Sequence, residues 1–341
     1  MRLVILALLC SAPAFADEPV AKLLKGSRSR AGRVQPVFSP DGDTIAIRVT
    51  DGFDLVNLKT GKSITLRDGT GKRILPKGTN RDAGDTMPAF MPDGKTVVTV
   101  NHDAKVDIWD AGTGKHLRDL TMPERKSNGG DDLGKHYRAL YAIAVPKAKT
   151  VLVFGEEAYM LSADDAFDPI PNLTIGYGLC QWSANGDWIG NKDTQASVEY
   201  FFGVACRHTP SLSFGESVHP KHYCGTVLPS EDGEMVAVTY WSTVAKENGV
   251  LLWKKKGKKR EQLKLADATG SFGLPDACGF NGDSSILYCT TGEALAAWDT
   301  ATGKRLADVA LPVKGGSVAF DAQRKRAIVI SDDAVYSVPL K

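Results

Sequence analysis

A short pattern recurs seven times along the chain, and it constrains the fold more than any other feature. In each copy an apolar residue leads into a turn with Pro, Asp or Gly, and two β-rich runs follow with a short polar turn between them. The aligned apolar residues lie 38 to 54 residues apart and are Phe38, Phe90, Ala144, Trp182, Leu228, Phe280 and Phe320. The variation in spacing falls in loops, where added length costs little. The chain is therefore expected to be a series of similar β units.

The turns of the copies differ slightly in length when they are aligned on these apolar residues. The first two read Phe38-Ser39-Pro40-Asp41-Gly42 and Phe90-Met91-Pro92-Asp93-Gly94. The fifth copy, aligned at Leu228, has one extra turn residue before Gly233, and the sixth, aligned at Phe280, has one residue fewer. Repeats of about 40–45 residues with four short strands each are typical of propeller blades. The sequence predicts an all-β, seven-bladed β-propeller with four-stranded antiparallel blades.

A second motif ends one strand and starts the next with Thr-Gly-Lys. It occurs in Val106–Lys115, again in Leu295–Lys304, and in degenerate form in Leu55–Lys62. Together the two motifs resemble the WD-repeat propeller family, and the resemblance covers residues 20–340. The family orders four strands a, b, c and d outward from the axis, often with an Asp in the b–c turn. Residues that fall at this point are Asp51, Asp103, Asp193 and Asp333.

The seventh repeat reaches the end of the chain after three strands. The segment Val20–Lys25 has the character of a strand, and members of the family commonly close the ring by completing the last blade with an N-terminal strand. The resemblance implies the same closure here, which removes exposed sheet edges that template aggregation. We therefore expect residues 17–341 to form a single β-propeller domain.

The first sixteen residues have the pattern of a secretory signal peptide. Arg2 precedes the apolar run Leu3–Cys10, and the small-x-small sequence Ala14-Phe15-Ala16 ends the segment. We expect residues 1–16 to be removed and the mature protein to be periplasmic, with no transmembrane span. The formal net charge of +2 excludes a strongly basic nucleic-acid binder and a strongly acidic disordered chain as default classes.

Five cysteines remain after cleavage, and an oxidising compartment favours disulfides among them. Cys278 and Cys289 flank the predicted a–b hairpin of the sixth blade, where adjacent strands bring such residues within bridging range. Cys206 and Cys224 are predicted to close a second bridge, which leaves Cys180 as the free thiol. Its pairing with Cys206 or Cys224 is the competing arrangement.

Cys206 and Cys224 also flank three histidines, His208, His219 and His222. Imidazole and thiolate together suit zinc or copper, so a metal site is the alternative to the disulfide, although the spacing matches no metal motif. The segment Ala297–Lys304 resembles the blade motif of quinoproteins, but Leu306 or Ala307 stands where the docking Trp belongs. No metal and no cofactor are therefore expected.

Two charged features accompany the repeats. The run Lys254–Arg260 falls in a c–d turn and is expected to be a solvated hairpin or, alternatively, a contact for an anionic envelope surface. Acidic residues recur in the b–c turns and could form a ring, although basic residues of the neighbouring loops make that face mixed; they are Asp51, Asp103, Glu156, Glu157, Asp193, Glu293, Asp332 and Asp333.

Long loops on a rigid scaffold are where binding concentrates. The two long d–a connections, roughly 67–87 and 121–141, join successive blades and are expected on one face, beside the b–c loop of the fifth blade. The predicted recognition residues are Arg73, Arg81, Arg125, Lys126, His136, Tyr137, Tyr240 and Trp241. Decorative loops without a binding role are the alternative.

The sequence favours a binding function over catalysis. The expectation is an exported propeller that serves as a platform for a protein or peptide partner of the cell envelope, or for a ligand, as a monomer that does not bind nucleic acid. The alternative is an exported propeller enzyme, lactonase-like or a metal-dependent hydrolase. No matched set of Glu, Asn and Asp residues for such a site stands out in the sequence, and no catalytic residues are predicted.

Overall fold

The fold is seen in a computed structural model in which sixteen segments are described. These are residues 19–23, 36–49, 52–67, 88–100, 105–123, 141–145, 150–154, 158–170, 181–182, 188–192, 199–203, 212–213, 223–242, 247–256, 259–268 and 277–341. Throughout these segments the regular structure is strand, in seven four-stranded antiparallel sheets, and none of it is helix. Consequently the described residues contain no helix that could cross a membrane.

The strands follow the chain from one sheet to the next. Sheet 1 comprises β2 (Val37–Phe38), β3 (Thr44–Val49), β4 (Gly52–Asn57) and β5 (Ser63–Thr65). Sheet 2 comprises β6 (Ala89–Phe90), β7 (Thr96–Val100), β8 (Lys105–Asp110) and β9 (His116–Thr121). Sheet 3 comprises β10 (Tyr141–Val145), β11 (Thr150–Phe154), β12 (Ala158–Leu161) and β13 (Phe167–Ile170). Sheet 4 comprises β14 (Gln181–Trp182), β15 (Trp188–Lys192), β16 (Glu199–Gly203) and β17 (Leu212–Ser213).

The remaining three sheets continue the series. Sheet 5 comprises β18 (Tyr223–Pro229), β19 (Met235–Ser242), β20 (Glu247–Lys256) and β21 (Lys259–Leu263). Sheet 6 comprises β22 (Cys278–Phe280), β23 (Ile286–Thr290), β24 (Ala294–Asp299) and β25 (Val309–Ala310). Sheet 7 comprises β26 (Ser317–Asp321), β27 (Arg326–Ile330), β28 (Ala334–Pro339) and, as its fourth strand, β1 (Ala21–Lys22) from the other end of the chain.

The N-terminal segment therefore supplies the missing strand of the last repeat. Ala21 lies opposite Val335 in an antiparallel pair. The Val20 amide donates a 2.8 Å hydrogen bond to the Val335 carbonyl oxygen of β28, and the Leu23 amide donates one of 2.8 Å to the carbonyl oxygen of Asp333, just before β28. These bonds hold the two ends of the chain in one sheet.

The core lies between successive sheets, because the central strands are covered on both faces. Successive residues of a strand point to opposite faces, so Ile45 and Ile47 of β3 pack against Ile328 of sheet 7, whereas Ala46 packs toward sheet 2 with Phe90. Similar clusters join sheets 2 and 3, 5 and 6, and 6 and 7. This two-sided burial explains why the strands are apolar almost throughout.

The a–b turns show that the predicted length differences in the fifth and sixth repeats were wrong. The a–b turns of sheets 1, 5 and 6 each close with a hydrogen bond from the amide of residue i to the carbonyl oxygen of residue i+5. These bonds join Ser39 to Thr44 (2.8 Å), Ser230 to Met235 (2.9 Å) and Asn281 to Ile286 (3.0 Å). The turns are thus equal in length. The fourth residue has positive φ in all three, and it is Gly42, Gly233 and, in the sixth repeat, Ser284.

Candidate functional site

The a–b and c–d hairpins of a sheet lie at the same edge of that sheet wherever both are described. In sheets 1, 2 and 6 the first c–d turn residue donates a backbone hydrogen bond to the a–b turn of the same sheet: Leu58 to Asp43 (2.7 Å), Ala111 to Lys95 (2.8 Å) and Thr300 to Ser285 (2.9 Å). In sheet 5 Lys255, near the end of β20, donates the equivalent bond to Glu234 (2.7 Å). Both turns of a sheet therefore share an edge, as expected when four antiparallel strands follow one another. We call this edge the hairpin rim.

The b–c turns and the connections between sheets lie at the opposite ends of the strands. In sheet 6 the b–c turn bonds to the connection that leads into sheet 7, through Gly315 to Gly292 (2.7 Å) and Leu311 to Glu293 (3.2 Å). We call this edge the loop rim. The long connections after β5 and after β9 start from and return to this rim, because they join an outermost strand to the innermost strand of the next sheet.

Most of the predicted recognition residues lie outside the described residues. These are Arg73, Arg81, Arg125, Lys126, His136 and Tyr137. The other two are found in strand β19 instead of in a loop: Tyr240 lies opposite Gly249, and Trp241 opposite Asn248. The strand continues to Ser242, and the Tyr240 side chain is 5% exposed. Tyr240 therefore presents little of its ring to a partner.

Two of the three described members of the acidic series, Glu293 and Asp333, contact neighbouring side chains. Glu293 forms an exposed ion pair of 2.7 Å with Lys314 of the adjacent connection. Asp333 accepts a 3.2 Å hydrogen bond from the Ser331 hydroxyl, and Asp332 is exposed. The other members lie outside the described residues: Asp51, Asp103, Glu156, Glu157 and Asp193. An exposed ion pair such as that of Glu293 contributes little stability.

Cys278 and Cys289 form a disulfide, as the sequence predicted, with an S–S distance of 2.11 Å. They lie directly opposite one another in β22 and β23. Their neighbours Ala277 and Thr290 are joined by a backbone hydrogen bond of 3.0 Å. The cysteines therefore occupy the adjacent non-hydrogen-bonded position, where the Cα atoms of antiparallel strands come closest.

The second predicted bridge cannot be located in the same way. Cys224 lies in strand β18. Its predicted partner Cys206 lies outside the described residues. So do Cys180 and the histidines of the alternative metal site, His208, His219 and His222. Across the described segments, no three His, Cys, Asp or Glu side chains are grouped so that they could hold one metal ion.

A partly buried polar cluster within sheet 2 was not predicted. The Asp107 carboxylate lies 3.2 Å from Nε2 of His116, and the His116 ring packs edge-on against Trp109 with centroids 4.7 Å apart. Trp109 Nε1 in turn donates a 3.0 Å hydrogen bond to the Thr99 hydroxyl. A carboxylate that orients an imidazole is an arrangement used in general acid–base catalysis. Here the imidazole packs against Trp109. The contacts of the cluster therefore link strands b, c and d of one sheet to each other, which is a structural role.

The equivalent position in sheet 1 carries another buried carboxylate. Asp54 is fully buried, and its Oδ1 accepts a 2.7 Å hydrogen bond from the Thr65 hydroxyl. Among the described residues its Oδ2 has no hydrogen-bond partner. An Asp at the centre of an otherwise apolar strand, as in Phe53-Asp54-Leu55, is the sequence signal that marks both sites.

The c–d turns share a hydrogen-bonded structure that lowers the pKa of their aspartates. The Thr113 hydroxyl and amide each donate to Asp110 at 2.7 Å and hold the pKa of that carboxyl below its ordinary value. Thr302 does the same for Asp299, at 2.6 Å and 2.8 Å, with the same direction of pKa shift. In sheet 1 the acceptor is the neutral Asn57, which receives the same two bonds from Thr60.

Solved structures of similar fold span nearly the whole chain. One is Kuenenia stuttgartiensis hydrazine synthase, with a TM-score of 0.62 and 15% identity over 90% of this chain and 95% of that one. A second is the β-propeller domain of Myceliophteria thermophila Cps50 (Swd1), with a TM-score of 0.56 and 13% identity over 93% and 99%. A third is the dihydro-heme d1 dehydrogenase NirN in complex with DHE, with a TM-score of 0.54 and 14% identity over 90% and 66%.

These neighbours define the class of fold. Four-stranded antiparallel sheets that pack face to face in series, together with a named β-propeller domain among the neighbours, make the chain an all-β protein with a β-propeller fold. At 13 to 15% identity the likeness shows the fold alone. No family model matches the chain, and no curated protein matches it in sequence.

Proposed function

We propose that this chain is an exported, WD-repeat-like, seven-bladed propeller that serves as an interaction platform. Its partner is a protein or peptide of the cell envelope, or another ligand, and it binds as a monomer in the periplasm. The observation that carries the proposal is the placement of the two longest connections between successive sheets, between Thr65 and Ala89 and between Thr121 and Tyr141. Both depart from the loop rim beside each other, on a rigid scaffold.

A closed ring of one domain, residues 17–341, is part of the proposal. It is supported by contacts between the last sheet and the first: Arg326 of sheet 7 donates a 2.9 Å hydrogen bond to the Gly42 carbonyl of sheet 1. The same face buries Ala319 and Val335 against Ile45. When the first and last sheets of a propeller pack together, the apolar faces that would otherwise be exposed at the two ends of the series are buried.

Export is supported by two independent features. The pattern of residues 1–16 is that of a cleaved signal peptide, and a buried disulfide joins Cys278 to Cys289. Disulfides persist in oxidising compartments and are rare in the cytosol. The predicted partner is therefore sought in the envelope.

The recognition surface is proposed on the loop rim. It comprises the two connections with Arg73, Arg81, Arg125, Lys126, His136 and Tyr137, together with Trp241 at the end of β19. Tyr240 belongs to it as a buried support, because its ring lies against Gly249: a Cβ placed at Gly249 would lie 2.6 Å from the Tyr240 hydroxyl.

The test is affinity capture from a periplasmic extract with the mature protein immobilised. In one variant Arg73, Arg81, Arg125 and Lys126 are changed to Ala; in a charge-matched control Lys62, Lys95, Lys115 and Lys304 of the hairpin rim are changed to Ala. The expected result is a reproducibly captured partner that the first variant loses and the control retains. Thermal unfolding should give both variants a midpoint close to that of the wild type, which shows that both are folded. Equal recovery by the two variants would refute the loop-rim surface.

The enzyme alternative has its own measurement on the same preparation. Purified mature protein is assayed for lactone and ester hydrolysis with and without added divalent metal ions, and its metal content is determined. Turnover that depends on a stoichiometric metal would replace the platform proposal by a propeller hydrolase. Metal bound at Cys206, Cys224 and the histidines His208, His219 and His222 would also overturn the second predicted disulfide.

A further inference from the structure

The junction between sheets 7 and 1 lacks backbone hydrogen bonds that two other junctions have. Where sheet 2 docks on sheet 1, the Arg67 amide donates to the Gly114 carbonyl oxygen at 2.9 Å, and the His116 amide donates to the Arg67 carbonyl oxygen at 3.2 Å. Where sheet 6 docks on sheet 5, the Ala266 amide donates to the Gly303 carbonyl oxygen at 2.9 Å. In both places the main chain fixes a c–d turn to the outer strand of the preceding sheet.

The equivalent place between sheets 7 and 1 is held by a side chain. The c–d turn of sheet 1 lies against β1 at Gly61, next to the Val20 carbonyl oxygen. Among the described residues, however, no backbone hydrogen bond joins this turn to β1. The hydrogen bond in its place comes from the Ser63 hydroxyl, which donates to the Lys22 carbonyl oxygen at 3.2 Å. The main chain therefore holds these two sheets together less firmly.

A buried carboxylate of the same junction has an unused oxygen. Asp54 of sheet 1 is fully buried, and within the described segments its Oδ2 has no hydrogen-bond partner. Asp54 lies opposite Ile47, which packs with Ile328 between sheets 1 and 7, and side chains directly opposite each other share one face of a sheet. Asp54 therefore faces sheet 7. A polar group buried without a partner costs free energy, which contact with water would return if the junction opened.

Two arginines of sheet 7 reach across this junction to the a–b turn of sheet 1. Nη2 of Arg326 donates a 2.9 Å hydrogen bond to the Gly42 carbonyl oxygen, and the guanidinium of Arg324 lies over Gly42, where a Cβ would collide with it. Oδ2 of Asp321 accepts hydrogen bonds from Nε of Arg326 at 3.0 Å and from Nη1 of Arg324 at 3.4 Å. The Asp321 side chain is 6% exposed, so salt screens these contacts little. We call Asp321, Arg324 and Arg326 the arginine latch.

The arginine latch replaces a neutral turn. Polar uncharged side chains occupy the position of Asp321 in sheets 1, 5 and 6, and each accepts a hydrogen bond from the amide five residues later; they are Ser39, Ser230 and Asn281. In sheet 7 the residue five positions later is Arg326, and Asp321 binds its side chain. Between sheets 5 and 6 the a–b turns meet through a neutral contact, from the Glu231 amide to the Ser284 hydroxyl at 3.3 Å. The charged contact thus coincides with the junction that has the weaker main-chain docking.

We propose that the junction between sheets 7 and 1 opens in the native protein while the other sheets stay packed, and that the arginine latch controls this opening. The weak docking of β1 and the unpaired oxygen of Asp54 favour the open state, whereas the latch favours the closed one. Such a region can open at a fraction of the free energy of global unfolding. The open state gives solvent access to the facing apolar sides of sheets 1 and 7. This inference rests on the closed ring proposed above and is independent of the loop-rim surface.

The experiment is labelling of a buried thiol by iodoacetamide under native conditions, with the labelled position identified by mass spectrometry. Ala319→Cys places the thiol between sheets 7 and 1. Ala327→Cys is the matched control, because it places the thiol on the opposite face of sheet 7, against sheet 6. Each is combined with Arg326→Gln and, separately, with Asp54→Val plus Thr65→Val, which removes the carboxylate together with the hydroxyl that donates to it.

Arg326→Gln should speed labelling at position 319 at least about tenfold and labelling at position 327 by less than about twofold. Asp54→Val with Thr65→Val should slow labelling at position 319. Equal acceleration at the two positions would overturn the inference and leave the closed ring intact, because labelling would then follow global unfolding. Unchanged or faster labelling at position 319 in the double-valine variant would overturn it as well.

Failure of the closed ring itself would look different. The thiol at position 319 would then react as fast as a thiol of the unfolded chain, with or without Arg326→Gln. If Arg326→Gln does not fold, Arg324→Gln replaces it, because that side chain is 36% exposed and its loss removes only the outer part of the arginine latch.

Discussion

The backbone amide of Arg67 donates a 2.9 Å hydrogen bond to the carbonyl oxygen of Gly114, which joins the outer edge of sheet 1 to the c–d turn of sheet 2. The same bond recurs from Ala266 to Gly303 between sheets 5 and 6, at 2.9 Å. Gly61 of sheet 1 lies in the same way against Val20, next to the N-terminal strand. Each of these turns therefore docks onto the outer strand of the preceding sheet, and β1 takes that place for sheet 1.

Gly114→Ala is expected to destabilise the protein strongly. Gly114 has φ +71°, and a Cβ there would lie 2.5 Å from the Thr65 carbonyl oxygen, which is backbone and cannot swing aside. The left-handed conformation alone costs about 1–2 kcal/mol for a residue with a Cβ, and the clash adds to it. Gly315→Ala is the matched control, with φ +70° and no heavy atom within 4 Å. Denaturant unfolding should show the larger loss for Gly114→Ala; equal losses would mean that the contact with Thr65 is unimportant.

The sequence predicted the repeated strands well because turn chemistry and apolar runs are local signals. It misjudged the a–b turn of sheet 6 because the left-handed position there is held by Ser284 (φ +59°) instead of a glycine. The Ser284 side chain accepts a 3.3 Å hydrogen bond from the Glu231 amide of the neighbouring sheet, and that contact between sheets has no sequence signature. Aligning the repeats on the turn glycine therefore matched Gly282 to Gly42, although Ser284 is the residue that occupies the equivalent left-handed position.

Two other differences arise from pairing partners that are distant in sequence. Tyr240 and Trp241 were expected in a loop. They lie in β19 instead, because β20 is long enough for Gly249 to pair with Tyr240 and for Asn248 to pair with Trp241. The pairing of β8 with β9 shifts between Ile108 and Trp109, which brings His116 opposite Trp109 and within reach of Asp107. A bulge of this kind changes which side chains meet, and periodicity alone does not reveal it.

Loss of the N-terminal strand is expected to destabilise the protein and to promote self-association. Val20→Pro with Leu23→Pro removes the two amides that bond to the Val335 and Asp333 carbonyl oxygens, and an unpaired β28 is an exposed edge that can pair with another chain. Thermal unfolding and light scattering should show a lower midpoint and larger particles. Lys22→Ala, at an exposed position of the same strand, is the control and should behave as the wild type. A double variant that remains monomeric and equally stable would contradict closure by β1.

The cysteines make a quantitative prediction for the mature protein. Thiol titration under denaturing conditions should give one free thiol. A count of three free thiols would contradict the predicted Cys206–Cys224 bridge. A count of five would also contradict the Cys278–Cys289 disulfide. Cys278→Ala with Cys289→Ala should lower the free energy of unfolding by about 3 kcal/mol, since the bridge closes a short loop in the unfolded chain. Chemical reduction of the wild type should approach the same stability.

The c–d turns predict how stability depends on acid. Hydrogen bonds from Thr113 and Thr302 hold the pKa of Asp110 and Asp299 below the ordinary value, which is about 3.9 in an unfolded chain. A carboxyl with a lowered folded-state pKa contributes stability that is present above the unfolded pKa and is lost as the pH falls through the folded pKa. The wild type should therefore lose stability progressively as the pH falls below about 4.

Asp110→Asn with Asp299→Asn should make this acid loss smaller while leaving the stability at pH 7 nearly unchanged. Asn57 already accepts the same pair of hydrogen bonds in sheet 1, from the Thr60 amide at 2.9 Å and hydroxyl at 3.0 Å, without a titrating group. Thermal midpoints measured between neutral pH and acid provide the comparison, with Asp267→Asn and Asp332→Asn, two exposed aspartates, as the charge-matched control. If the control variant flattens the acid dependence as much as the turn variant does, general charge repulsion and not the turn hydrogen bonds would govern acid unfolding.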